Sequence, residues 1–210
     1  MTAKKDNWNI VLAGLWNRAI FTPEWVGRLL FNQREVETLI SVMPHMPIIY
    51  QNRQVALEVA PARLVFRPRS LVDDYLLAAE SMAHKVLATL QDTPLLGVGI
   101  NFAFAESDPR RDLVALFDIA DNQSLSEDGW EIEERRVLRR VRKGGDTLNL
   151  SLSLGAGELG IEFNFHTDTT ENAEAQAAVD NRVIRLRDAA VRLLDKTYDL
   201  QAELGGDHNG

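Results

Sequence analysis

The stretch Thr147-Leu148-Asn149-Leu150-Ser151-Leu152-Ser153-Leu154-Gly155-Ala156-Gly157-Glu158-Leu159-Gly160-Ile161-Glu162-Phe163-Asn164-Phe165-His166 decides the fold class. Leu148, Leu150, Leu152 and Leu154 alternate with polar residues, and so do Leu159, Ile161, Phe163 and Phe165. A period of two places each apolar set on one face of a half-buried antiparallel strand. Gly155-Ala156-Gly157 supplies the turn between them, because glycine adopts positive backbone angles without a Cβ clash. Upstream, Gly144-Gly145 does the same for a preceding strand near Glu131–Val141, so 130–166 reads as a three-stranded meander. The far face of this meander carries Asn149, Ser151, Ser153, Glu162, Asn164 and His166. It is expected to be wet or to meet a partner. A helix expected over roughly Glu171–Glu203 follows, with Val179, Val183, Leu186, Ala190, Leu193, Leu194 and Tyr198 as its apolar stripe and Gly205-Gly206 as its end.

The first part of the chain repeats this pattern. Trp8–Trp16 reads as a buried strand. Thr22-Pro23-Glu24 opens a short helix to about Phe31, with Thr22 as cap, Pro23 at the first helical position and Glu24 at the positive end of the helix dipole. Strands are expected at Val36–Val42, Pro47–Tyr50, Val55–Val59 and Arg63–Phe66. Ser70 is then placed to cap a long helix with Asp73 at its third position. Leu71, Val72, Tyr75, Leu76, Ala79, Met82, Ala83, Val86, Leu87 and Leu90 form its stripe. Leu95–Ala105 is apolar at nearly every position near its start, as a central strand is. Strands followed by a long amphipathic helix thus occur twice, in pseudo-halves 8–106 and 130–203. The irregular connector 107–129 holds a short helix through Leu113–Phe117 and a polar loop at Asn122–Gly129. These readings predict an α+β fold over 1–210 as a single domain, with antiparallel sheet and the helices packed on one sheet face.

Composition narrows the function classes. The 210 residues include 45% apolar residues, enough to build a core and too many for a disordered chain. A net charge of −8 disfavours generic nucleic-acid binding, which needs a basic surface. The absence of cysteine excludes disulfides, thiol catalysis and zinc–thiolate sites, and a cytoplasmic setting is expected. The runs Ile10–Trp16, Leu95–Ile100 and Leu113–Phe117 fall far short of the ~20 residues of a spanning helix, so no membrane partner is expected. Lys4-Lys5 before Ile10–Trp16 faintly resembles a signal peptide, but Asn17-Arg18 stand where small residues would mark cleavage.

Candidate chemistry is sparse. His45 reads as a turn residue, His84 as a boundary position on the first long helix, and His208 as part of the tail. His166 and Asp168 could supply two metal ligands, fewer than the three or four that zinc takes, so no metal and no cofactor are expected. Asp73-Asp74 and Glu133-Glu134 are adjacent carboxylates. Neighbours on a strand point to opposite faces, so Glu133 and Glu134 cannot both address one substrate. Gly97-Val98-Gly99-Ile100-Asn101 is no phosphate loop, since Phe102-Ala103-Phe104-Ala105 continue a strand; its glycines serve close helix packing or a bulge. The most unusual feature is basic. Residues 131–143 carry six cations and three carboxylates, net +3 against −11 elsewhere. Arg135, Arg136, Arg139 and Arg140 are the candidates for anion or partner docking, because guanidinium forks suit carboxylate and phosphate. The same charges on an edge strand also resist edge-to-edge aggregation. Trp130, Phe163, Phe165 and Tyr198 could line an apolar cavity between the curved sheet and the last helix, or simply fill the core.

Leu57-Glu58-Val59-Ala60-Pro61-Ala62-Arg63-Leu64-Val65-Phe66, the helix from Leu71, and Leu96-Gly97-Val98-Gly99-Ile100-Asn101-Phe102 together resemble a sporadically distributed, uncharacterised family of small bacterial α+β proteins. The resemblance covers about half the chain. It implies the order strand, turn, strand, long helix, glycine-containing strand, with a second sheet-plus-helix half, and it implies no catalytic residue. The leading expectation is a non-catalytic protein-interaction or assembly module, acting as a homo-oligomer or with another protein. The alternative is a small-molecule carrier. A third reading, an enzyme without a familiar motif, would rest on Asp118, Asp121 or His166.

Overall fold

The computed structural model describes residues 1–41, 43 and 46–204. The strands are β1 (Thr2–Ala3), β2 (Asn9–Gly14), β3 (Glu37–Ile40), β4 (Ile48–Gln51), β5 (Val55–Ala60), β6 (Arg63–Pro68), β7 (Leu95–Glu106), β8 (Glu134–Lys143), β9 (Asp146–Gly155) and β10 (Glu158–Asp168). The helices are α1 (Pro23–Trp25), α2 (Asp73–Thr89), α3 (Arg111–Val114), α4 (Asn122–Glu127), α5 (Asn172–Val179) and α6 (Val183–Tyr198). The expectations at His45, His208 and Gly205-Gly206, and the Val42 end of the third strand, lie outside the described residues.

All ten strands join one antiparallel sheet in the order β3-β4-β5-β6-β2-β7-β10-β9-β8, with the short β1 also on β7. The two pseudo-halves therefore share a sheet, and they meet where β7 pairs β10. The run Ile10–Trp16 supplies β2, inserted between β6 and β7 in the middle of that sheet.

Period-two alternation sets the faces. Ile10, Leu12, Leu64, Phe66, Val98, Ile100, Phe102, Leu150, Leu152, Ile161 and Phe163 are buried on one side, against α2, α5 and α6. Trp8 anchors this core edge-on to Phe102 and Phe104, at ring-centroid distances of 5.0 and 5.5 Å. Its indole N–H donates to the Ala103 carbonyl at 2.9 Å, so the burial of a large aromatic leaves no orphan donor. The opposite face, here called open, carries the polar residues of the same strands.

Several expected boundaries move, each for a local physical reason. Thr22 does cap α1, its Oγ1 accepting from Trp25 N–H at 3.1 Å, but the helix widens into a π-turn over Val26–Phe31 and stops at Asn32 in the left-handed region. α2 begins three residues after Ser70, the expected cap. That helix starts at Asp73 after Val72, which offers no side-chain cap, and Asp73 instead pairs with Arg187 of α6. The single C-terminal helix is broken in two at Asp180-Asn181-Arg182, with Asn181 at φ +54°. The polar stretch Asn122–Gly129 forms α4 over most of its length. Nor is the connector a mere linker: Leu113 and Phe117 are fully buried members of the core. Gly97 and Gly99 face the open side rather than the helices. A Cβ on Gly97 would lie 2.7 Å from the Thr167 carbonyl oxygen, so close approach of β10 explains it. A register shift at Ala13/Gly14 lies beside it on β2, as the bulge reading expects.

Candidate interaction surface

The open face is organised by its register. Asn9 lies opposite Asn101, Asn101 opposite Asn164, and Asn164 opposite Asn149, on four consecutive strands of the sheet. Their side chains form a continuous amide ladder. Asn101 Nδ2 donates to Asn9 Oδ1 at 2.8 Å, Asn164 Nδ2 to Asn101 Oδ1 at 2.6 Å, and Asn149 Nδ2 to Asn164 Oδ1 at 2.8 Å. One residue further on, at β8, the row ends on Arg140 opposite Asn149.

Beside the ladder, His166 Nε2 lies 2.7 Å from Asp168 Oδ1, and Arg140 donates to Asp168 Oδ2 at 2.9 Å. These two partners, His166 first, hold the Asp168 carboxyl below its ordinary value. No group of three or more His, Cys, Asp or Glu side chains positioned to hold a metal occurs among the described residues. Asp118 and Asp121 are exposed on the connector, which Phe117 anchors to the helix-bearing face, so they do not join His166. On the first half of the open face Glu58 is buried under Arg67 at 2.6 Å and Arg63 at 3.4 Å. Glu58 was not singled out from the sequence, where it is one carboxylate in a strand of ordinary alternation.

β8 is the outermost strand on its side, paired only with β9 among the described residues. The four candidate arginines all lie on it, but not as one patch. Arg135 and Arg139 stand opposite Leu154 and Leu150 and so share the helix-bearing face; Arg136 and Arg140 stand opposite Ser153 and Asn149 on the open face. Arg136 pairs with Glu134 at 2.9 Å and Arg140 with Asp168. Arg139 lies beside Tyr198 and its charge favours the phenolate, but burial nonetheless raises the Tyr198 hydroxyl above its ordinary value. Arg142 and Lys143, neither a candidate from the sequence, have no ion-pair partner among the described residues. The strand is also apolar where it should not be for a purely solvated edge: Leu138 is 72% exposed and Val141 45%.

The four expected cavity residues are divided between the core and the surface. Phe163 packs edge-on against Phe104 at 6.0 Å and Phe165 against Phe102 at 6.1 Å, and Tyr198 is buried among them in the core. Trp130 is 65% exposed, its indole N–H donating to Asp128 at 3.1 Å. The gap beside Trp8 and Phe102 measures about 10 Å³, room for no more than a single water. The larger depressions are open grooves. One of about 480 Å³ lies by Trp25, Arg28 and Leu29, and one of about 400 Å³ lies between residues 3–7 and the β7–β10 part of the open face.

No protein-family model matches this sequence, and no curated protein matches it in a sequence search. No helix among the described residues is long and apolar enough to cross a membrane.

Proposed function

We propose that this chain is a non-catalytic protein-interaction or assembly module that docks through β8 and the adjoining open sheet face, and that it works in the cytoplasm. The observation that carries the reading is β8 itself: a ten-residue outer strand with one unpaired edge, exposed Leu138 and Val141, and a dense set of arginines. An unpaired edge offers backbone donors and acceptors to another strand. Arginine is enriched among interface hot spots, and exposed apolar side chains gain by burial against a partner. The amide ladder supports the same reading, because it ties four asparagine side chains of the open face to one another and orders the surface beside that edge.

Native mass spectrometry of the gently purified protein tests it. The expected result is an integer multiple of the 23.6 kDa chain mass or a stoichiometric complex with another protein. A bare monomer at micromolar concentration overturns it, and a monomer with a constant small-molecule adduct favours a carrier instead.

A further inference from the structure

Charge is not uniform along the β8 edge. Glu131, Glu133 and Glu134 occupy its N-terminal approach, whereas Arg139, Arg140, Arg142 and Lys143 occupy its C-terminal end. Two copies of such a strand, paired antiparallel, bring the acidic end of each against the basic end of the other. We infer that the occupant of this edge is a second copy of the chain, joined by β8–β8 pairing about a two-fold axis through Leu138. The inference rests on the interaction-module reading and names its partner.

The register follows from geometry. Directly opposed residues of an antiparallel pair point to the same face. A two-fold axis normal to the sheet preserves that, keeping both helix layers on one side. Centred on Leu138, the open face sets Leu138 against its twin and Glu134 against Arg142, and the helix-bearing face sets Glu133 against Lys143. Arg135, Arg139, Arg142 and Lys143 hold no carboxylate among the described residues; this register supplies one to Arg142 and to Lys143, and the exposed Leu138 gains an apolar neighbour. Arg136 would face Arg140, but each already holds a carboxylate of its own chain, Glu134 and Asp168. Moving the axis to Val137 instead sets Arg135 against Arg139, with no acidic partner for either, and like charges directly opposed are destabilising.

The test is a charge exchange read by sedimentation equilibrium. The wild type is expected at twice the 23.6 kDa chain mass, with weaker association at high salt. Glu133→Arg/Glu134→Arg leaves no carboxylate within residues 133–143, and Arg142→Glu/Lys143→Glu reverses the charge at the far end of the strand. Each variant alone is expected to fall to the monomer mass. An equimolar mixture is expected to recover the dimer, because every reversed contact then regains its opposite. Recovery also demonstrates that both variants are folded. Leu138→Lys, at an exposed position, places like charges on the axis and is expected to lose the dimer with an unchanged circular dichroism spectrum. A wild-type oligomer unmoved by all three variants overturns the β8 pairing while leaving an assembly module, and so does a complex with a different protein only. A monomer free of any partner overturns both.

Discussion

Glu80 Oε2 accepts the backbone N–H of Val183 at 2.6 Å and that of Arg182 at 2.8 Å. A buried carboxylate on α2 thus serves as the N-terminal cap of α6, 103 residues away. Negative charge is favoured at that end of a helix, and the cap satisfies two of its orphan donors. It also explains how α6 restarts after the break at Asn181 with no side-chain cap of its own.

Glu80→Ala is therefore expected to lower the urea midpoint with little change in slope. The cost is about 1–3 kcal/mol for each N–H left without a partner. Glu80→Gln keeps one acceptor oxygen and is expected to lose less. Equal losses from the two substitutions would show that the capping contact is not the source of the effect.

Phe117 tests the status of the connector. It is fully buried in the core on a turn that contacts β8, so Phe117→Ala is expected to cost about 3–5 kcal/mol in chemical unfolding. A loss below 1 kcal/mol, about the size of an ordinary surface change, would mean that 107–129 is a detachable linker after all.

The amide ladder predicts coupling. Asn164 is its middle link, donating to Asn101 and accepting from Asn149. Asn164→Ala is expected to destabilise by about 1 kcal/mol. In a double-mutant cycle with Asn101→Ala the two losses are expected to be less than additive, since both remove the same bond.

Two tyrosines set the alkaline behaviour. Burial raises both Tyr50 and Tyr198 above the ordinary 10.0. Groups with raised folded values contribute stability that is complete below the unfolded value and lost as pH rises through the folded one. Unfolding free energy is thus expected to fall above about pH 10. Tyr50→Phe should make that decline shallower, and it should lower stability at neutral pH because the hydroxyl donates to the Phe21 carbonyl. Asp168 has the opposite sign: His166 and Arg140 lower its value, so its contribution is present above the unfolded value and disappears as acid protonates it. Asp168→Asn should remove that part of the acid limb, and salt should shrink it.

Much of the fold was legible because side-chain alternation is a local signal. Leu148, Leu150 and Leu152 face the core, as do Leu159, Ile161 and Phe163. The positive backbone angles of Gly144, Gly145 and Gly157 fall in the turns that required them. The candidate site was less legible. The four arginines could be found by composition, but their division between two faces and the free state of Arg142 and Lys143 depend on who pairs with whom. Trp130 was misplaced for a related reason: an aromatic residue beside an apolar meander looks like core, yet it sits before the strand begins and finds Asp128 instead.

The sequence by itself determined the fold class, the approximate strands, the buried face of the alternating ones, and the basic character of β8, because periods of 2 and 3.6 and local composition are written in neighbouring residues. Only the tertiary structure decided that β2 enters between β6 and β7, that β7 and β10 join the halves, that Glu80 caps a distant helix, and that four asparagines fall in one row. Alternation says which face a residue takes; it says nothing of which strand lies beside it, and those neighbours are chosen by contacts between residues far apart in the chain.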